Sequence, residues 1–229
     1  MIEAFRLGLF PRGKILWDGL DFALADGSVW VIVGPPSSGK TLLLSILRGE
    51  RHPDAGDVLV SGDSLYRGSA AAARAFRSVC GSIAERFDGE SRLNVEELFL
   101  RSSLAGGGMD RQERKRRQER LLAMVGLAGF DRLPLASLSA SERARARLAA
   151  ELVRSPRFLF ADGVVASAGV PFQEALAALF RALAAEGNTI VLAERLLPAR
   201  WAALAGDGKP TGPFRVFRLP TAEGKEGAP

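Results

Sequence analysis

The sequence predicts an α/β fold with a mainly parallel sheet. Short apolar runs typical of strands, such as residues 28–33 (SVWVIV), alternate along the chain with longer runs of helical periodicity, such as residues 172–186. This alternation is typical of parallel sheets that carry helices on both faces. The chain has 229 residues, 47% of them hydrophobic, which suits one such domain with a small inserted lobe.

The predicted strands are short and bounded by turn residues. Residues 28–33 are rich in β-branched and aromatic side chains and end at a glycine, and residues 58–60 are closed by a Ser-Gly-Asp turn. Two further apolar runs, residues 157–161 (RFLFA) and 189–193, indicate buried strands.

The predicted helices lie between these strands. The first begins at Thr41 (TLLLSILRG), and residues 94–126 are helical in pattern and highly charged. Residues 139–154 carry apolar side chains on one stripe, and residues 172–186 continue the alternation. The last residues, 220–229, are rich in Gly, Glu and Lys and predict a flexible tail.

The charge balance is moderately basic, with 31 Lys and Arg against 26 Asp and Glu. A basic surface suits nucleic acid or an anionic membrane face. The densest charged run, residues 110–120 (DRQERKRRQER), mixes both signs at helical spacing, which favours a solvated helix face. We therefore do not expect nucleic acid as a partner.

The number of cysteines and the hydropathy of the chain indicate its redox compartment and its relation to the membrane. The single cysteine, Cys80, excludes an internal disulfide framework and suits a reducing compartment. The first ten residues lack the plan of a signal peptide, and no apolar stretch reaches the roughly 18 residues of a spanning helix. We expect no transmembrane helix.

A glycine-rich loop between the first predicted strand and the first helix carries the strongest motif. Its eight residues match the Walker A pattern: Gly34, Pro35, Pro36, Ser37, Ser38, Gly39, Lys40 and Thr41. Backbone amides of such a loop surround phosphate groups, Lys40 reaches the outer phosphates and Thr41 ligates Mg²⁺. Pro36 removes one amide hydrogen from this cradle. The loop predicts ATP and Mg²⁺ as cofactors.

Asp162 ends the apolar strand at residues 157–161, 122 positions after Lys40 (162 − 40). In a protein with a phosphate loop, a carboxylate placed in this way holds Mg²⁺ through water. These two motifs leave open an ATPase subunit, a kinase or another nucleotide triphosphatase.

Further short motifs distinguish among the protein families that have a phosphate loop. Residues 53–58 (PDAGDV) precede a Ser-Gly pair, residues 138–142 read LSASE, Arg145 follows, and Ser155-Pro156 precede the Asp162 strand. Phe10 lies 30 residues before Lys40. At this spacing the chain resembles the ABC ATPases from Phe10 to about Leu196, in particular the short FtsE, LolD and MacB-type group. A kinase would have no reason to carry the LSASE helix.

The resemblance implies a P-loop NTPase fold of the ABC ATPase type. That fold has a mostly parallel sheet, an antiparallel β portion at the N-terminus and an inserted helical subdomain. We expect one ATP-binding domain over residues 1–219, with the helical subdomain at about residues 88–154. The resemblance also implies that Phe10 stacks on adenine and that Ser139 bonds the γ-phosphate held by an opposing subunit.

The partners implied by the resemblance are proteins. They are an integral membrane permease of the FtsX or LolC type, and a second ATPase chain, either another copy or a paralogue. The implied location is cytoplasmic and peripheral, on the inner face of the cell membrane.

Several family positions carry other residues here. The family has a glutamate after its Walker B aspartate, which is Asp162 here, and this chain has Gly163 in that place. Arg195 stands where the family has a histidine that contacts the γ-phosphate, and Glu85 stands where it has a glutamine that senses the γ-phosphate. The aspartate that couples the two opposed sites is Gly169, and the two signature glycines are Ala140 and Ser141. The only histidine, His52, lies past the phosphate-loop helix and does not replace the missing one.

We interpret these departures as loss of catalysis with retention of binding. Gly163 has no side chain to orient or deprotonate water, and an arginine is no base at neutral pH. By this reading no catalytic residue is intact, and the subunit acts as an ATP-gated scaffold or as the regulatory half of a dimer. The alternative is an active ATPase that uses Glu85, Glu194 or another carboxylate.

Overall fold

The computed structural model describes residues 1–83, 92–105, 107–199, 201–202 and 213–220. Glu85, the start of the expected helical subdomain at 88–91 and the tail after Pro220 lie outside the described residues. The strands are β1 (Ile2–Leu9), β2 (Trp17–Leu24), β3 (Val29–Val33), β4 (Ala55–Val60), β5 (Asp63–Ser64), β6 (Cys80–Ile83), β7 (Phe158–Asp162), β8 (Thr189–Glu194) and β9 (Phe214–Arg218). The helices are α1 (Lys40–Leu47), α2 (Ala70–Ser78), α3 (Val95–Ala105), α4 (Arg111–Met124), α5 (Ala140–Leu152), α6 (Val164–Ala168) and α7 (Gln173–Ala185).

The predicted α/β fold with a parallel sheet is confirmed. Five parallel strands form one sheet in the order β6-β7-β8-β3-β9. Because the carboxyl ends of parallel strands meet at one edge, β3, β7 and β8 deliver the phosphate loop, Asp162 and Glu194 to the same edge. This edge is where the chain brings its charged motifs together.

An antiparallel sheet in the order β2-β1-β4-β5 forms the N-terminal β portion that the resemblance implied. Its buried residues, such as Leu7 and Leu24, share a core with Leu43 and Leu47 of α1. The same core includes Phe158 and Phe160 from one face of the parallel sheet. Helix α1 is therefore held between the two sheets, which fixes the phosphate loop at its start.

The other face of the parallel sheet carries α5, α6 and α7. Alternate residues of the strands point there, including Leu159 and Ile190, and pack against Leu148, Val165 and Phe180. The two-residue period of each strand thus supplies both cores, which explains why the predicted strands are almost entirely apolar.

Helices α3, α4 and α5 form a helical lobe with its own core, which includes Phe99, Leu122 and Ala149. The charged pattern predicted at residues 94–126 is two helices, because Gly107 and Gly108 adopt φ of 96° and 83° between them. Within the described residues, no helix has the length and apolar character that crossing a bilayer requires.

Candidate functional site

The phosphate loop curls around the side chain of Lys40. Its ammonium donates to the carbonyl oxygens of Gly34 and Pro35, both at 2.7 Å, and to Ser38 Oγ at 3.3 Å. The lysine is only 9% exposed. These contacts hold the positive charge inside the loop, where it faces any phosphate that the loop encloses.

The first turn of α1 begins at an N-cap without a side chain. Gly39 adopts φ 89° and ψ 11°, a left-handed conformation that glycine tolerates best. A Cβ built on Gly39 would lie 2.7 Å from Trp17 Nε1 and 3.2 Å from Leu16 Cδ1. Because no side chain caps the helix, its first amide groups remain available to an anion.

Thr41 and Asp162 meet although 121 residues separate them. Thr41 Oγ1 donates to Asp162 Oδ2 at 2.5 Å, at the junction of α1 and β7. A hydroxyl and one carboxylate suit Mg²⁺, which keeps several waters and completes its shell with nucleotide phosphates. Within the described residues, no cluster of three or more His, Cys, Asp or Glu side chains forms an all-protein metal cage.

A cavity of about 300 Å³ opens at this edge of the sheet. Its walls are Pro36, Ser37, Lys40, Thr41, Asp162, Gly163, Ala166, Ala193, Glu194 and Arg195. The structure therefore brings together the phosphate loop, Asp162 and two of the altered positions, Gly163 and Arg195. Among the described residues, neither Phe10 nor Ser139 lines this cavity.

A larger cavity of about 380 Å³ lies at the opposite edge of the sheet, between α4 and α7. It combines leucines with Arg117 and Arg120, and its described walls include none of the predicted site residues. It also lacks a glycine-rich loop before a helix, the feature that binds phosphate. The smaller cavity is therefore the candidate nucleotide site.

Phe10 is not among the residues that line this cavity. It precedes the 3₁₀ turn Pro11–Gly13, and its backbone N–H donates to Asp54 Oδ2 at 2.5 Å. The tip of its half-buried ring is 2.7 Å from where a Cβ on Gly8 would stand, so the ring lies over β1. The structure does not bring the expected adenine-stacking ring into the phosphate cavity.

Ser139 begins α5 and takes part in a complete capping box. Its hydroxyl accepts from the Glu142 N–H at 3.2 Å, and the Glu142 carboxylate accepts from the Ser139 N–H at 2.8 Å. The next residue but one, Ser141, donates from Oγ to the Ala168 carbonyl at 2.5 Å. The signature, residues 138–142, is thus tied to the end of α6 and lies beside Gly169.

The turn after Asp162 is built on glycine. Gly163 adopts φ 64° and ψ 14° as the N-cap of α6, and its N–H donates to the Ala193 carbonyl at 2.8 Å. Gly169, with φ 85°, ends the same short helix. Both altered positions therefore sit where the backbone is left-handed or otherwise unfavourable for a side chain.

Two contacts at the site were not predicted from the sequence. The indole of Trp17 packs on Gly39, and the buried carboxylate of Glu194 accepts from the Val165 N–H at 2.8 Å. The sequence marks Glu194 only as a spare carboxylate near Arg195. Neither contact was predicted, because Trp17 and Val165 belong to no motif that the sequence displays.

Comparison with protein families identifies the chain. The family model described as ABC transporter matches residues 17–166, which include the phosphate loop, the signature and Asp162. The chain belongs to the ABC transporter family. It is an ATP-binding subunit of that family, whose cassettes bind ATP and Mg²⁺, dimerise and work with membrane permeases.

Three relatives match this chain over most of their own length. The ABC transporter ATP-binding protein YknY of Bacillus subtilis (strain 168) is 30% identical over 188 residues, 80% of this chain and 81% of YknY. The phosphonates import ATP-binding protein PhnC of Nitratidesulfovibrio vulgaris is 30% identical over 190 residues, 80% of this chain and 72% of PhnC. The hemin import protein HmuV of Rhodopseudomonas palustris is 28% identical over 233 residues, 93% and 87% of the two chains.

Solved structures confirm the cassette fold. The dimeric structure of MJ0796, a bacterial ABC transporter cassette, superposes with a TM-score of 0.79 at 21% identity, over 95% of this chain and 94% of that one. A post-hydrolysis MJ0796 dimer bound to ADP and Pi superposes at 0.74 and 21% identity, over 84% and 87%. At this identity the likeness establishes the fold of the ABC subunit.

Proposed function

We propose that this ABC subunit binds Mg²⁺-ATP but hydrolyses it slowly, and that ATP occupancy gates a scaffold or the regulatory half of a dimer. One observation carries the proposal. The cavity assembles Lys40, Thr41 and Asp162, whereas the residue after Asp162 is a glycine.

Binding is supported by groups already in place. Lys40 is held in the loop by two carbonyl oxygens, and the N-terminus of α1 has no side-chain cap. Charge and amide donors at one helix start favour a polyanion. Thr41 and Asp162 would hold Mg²⁺ beside the phosphates, where the ion neutralises charge.

Slow hydrolysis is supported by what surrounds the cavity. Loss of a general base typically lowers a rate by about 10²–10⁴-fold. Gly163 offers no base, and Arg195 supplies only positive charge. Glu194 lines the cavity as well, but its carboxylate is engaged by the N–H of Val165.

The proposed setting is a complex like those of FtsE and LolD. The subunit would dock on an integral membrane permease of the FtsX or LolC type, at the cytoplasmic face, and pair with another copy or a paralogue. Support comes from the landmarks at residues 53–58 and 138–142 and from cassette structures that are dimeric.

A second candidate is an ATP-hydrolysing subunit that energises a transporter. It is favoured by relatives whose names describe import ATP-binding proteins, for phosphonates and for hemin. The two candidates differ in one measurable quantity, the rate of phosphate release.

Purified protein in Mg²⁺-ATP tests the proposal, with Lys40→Ala as the background control. We expect saturable binding of a fluorescent ATP analogue and phosphate release close to background. Gly163→Glu should raise release at least tenfold over Gly163→Gln, a matched control that shares the backbone strain of φ 64° and lacks the base.

Either of two outcomes overturns this function. In the first, the wild-type chain releases no phosphate and also fails to bind the analogue, which removes the ATP-gated role. Alternatively, wild type releases phosphate well above the Lys40→Ala background and as fast as Gly163→Glu, which favours the energising subunit.

A further inference from the structure

Resting on the proposed function, we infer that Glu194 is a positioning residue: its carboxylate fixes the segment after Asp162 and so sets the magnesium dependence of nucleotide binding. Glu194 ends β8 and is 2% exposed. Its Oε1 accepts from the Val165 N–H at 2.8 Å, and its backbone carbonyl accepts from the Gly34 N–H at 3.4 Å.

The direction of the Glu194 side chain follows from strand alternation. Val191 and Ala193 of β8 pack in the core that contains α1. Ile190 and Leu192 pack in the opposite core, with α6 and α7. Glu194 shares the parity of Ile190 and Leu192, so its side chain points to the α6 side. This face of the sheet is opposite the face that packs against α1, the helix that follows the phosphate loop.

Although Glu194 lines the cavity, the hydrogen bond of its carboxylate favours a positioning role over a catalytic one. A general base must come within hydrogen-bond reach of the attacking water. The carboxylate of Glu194 instead reaches the first turn of α6. A buried carboxylate is costly unless it accepts hydrogen bonds, and the N–H of Val165 supplies one of them.

The segment that Glu194 contacts is α6, which has a glycine at each end. Gly163 and Gly169 both have positive φ and bound α6. The start of α6 is attached to β8 through the Gly163 N–H on the Ala193 carbonyl and through the Glu194 carboxylate. Asp162 immediately precedes this start, so loss of the Glu194 contact removes one of the two attachments beside the residue that meets Thr41.

The test measures the affinity for a fluorescent ATP analogue with Mg²⁺ and in excess chelator. Glu194→Ala should weaken the Mg²⁺-dependent affinity about tenfold, the equivalent of one lost hydrogen bond, and leave the Mg²⁺-free affinity unchanged. Glu194→Gln keeps an acceptor of the same length and should restore the affinity to within about twofold.

A third variant separates the effect of side-chain length at position 194 from the effect of its negative charge. Glu194→Asp keeps the carboxylate but is one methylene shorter, so it should behave like Glu194→Ala. It also decides the matter if the alanine variant does not fold, because it places no new apolar group in the core. If Glu194→Asp binds as wild type, the positioning role is wrong.

A catalytic role gives a different pattern. If wild type releases phosphate above the Lys40→Ala background, and Glu194→Gln lowers that release to background without changing either affinity, Glu194 is the base and the inference is overturned. This failure is distinct from failure of the proposed function, which is read from the wild-type chain and the Gly163 variants alone.

Discussion

Two helix N-termini in this protein are built in opposite ways. Helix α1 begins after Gly39, which has no side chain to cap it. Helix α5 begins after Ser139, where a capping box satisfies the Glu142 N–H and the Ser139 N–H. The first N-terminus is left open for an anion, whereas the second is closed by groups of its own chain.

This difference predicts that the two helix starts tolerate substitution unequally. The start of α1 has no side-chain cap, and the lysine beside it is held by carbonyl oxygens of the loop, so substitutions in the loop should be costly. The signature completes its own hydrogen bonds, through Glu142 and through Ser141 on the Ala168 carbonyl. A helix start that satisfies its own hydrogen bonds tolerates the side chains of Ala140 and Ser141.

Adding a side chain at the open N-terminus should have the largest effect. Gly39→Ala combines a left-handed backbone with a Cβ only 2.7 Å from Trp17 Nε1. We expect a loss of about 2–5 kcal/mol in the free energy of unfolding and no detectable ATP-analogue binding. Denaturant unfolding and titration of the analogue measure the two effects.

Gly62→Ala is the matched control for Gly39→Ala. Gly62 also has positive φ, 92°, but no described atom lies within 4 Å of a Cβ built there. It should lose only about 1–2 kcal/mol and bind normally. Equal effects of the two substitutions would show that the contact with Trp17 does not matter.

Removing the cap from the closed N-terminus should have a smaller effect. Ser139→Ala leaves the Glu142 N–H without its partner and should cost about 1 kcal/mol, with binding by the isolated subunit unchanged. Calorimetric unfolding checks this, with Ser137→Ala as a control serine outside the cap. A binding defect in Ser139→Ala would mean that the cap and the phosphate cavity are coupled within one chain.

Acid should weaken the same cap by a still smaller amount. The hydroxyl and then the backbone N–H of Ser139 lower the pKa of Glu142 below its ordinary value of 4.5. The stability gained is therefore complete above pH 4.5 and lost as the pH falls through the lowered pKa. The melting temperature of wild type should fall more steeply in this range than that of Glu142→Gln, and parallel curves would contradict the assignment.

The sequence predicted the parts of the molecule that depend on local pattern. The strand–loop–helix at residues 28–47 and the meeting of Thr41 with Asp162 follow from motif spacing and from the shared edge of a parallel sheet. The capping box at Ser139 follows from a four-residue pattern. These features were predictable because each belongs to a short motif whose place relative to a strand or helix is visible in the sequence.

Contacts between distant segments were not predictable in this way. Nothing in the pattern around Trp17 or Glu194 indicates that they contact Gly39 and Val165. The single charged helical run at residues 94–126 proved to be α3 and α4, because periodicity does not weigh the glycines between them. Phe10 lies over β1, where the close approach of Gly8 admits its ring.

Helix α5 is embedded in two cores at once. Leu148 and Leu152 belong to the core of the parallel sheet, whereas Ala146 and Ala149 belong to that of the helical lobe. Because α5 is packed in both cores, neither the parallel sheet nor the helical lobe can tilt without moving this helix. A displacement of α3 or α4 would therefore move Ser139 at the start of α5 and, through the hydrogen bond of Ser141, the end of α6.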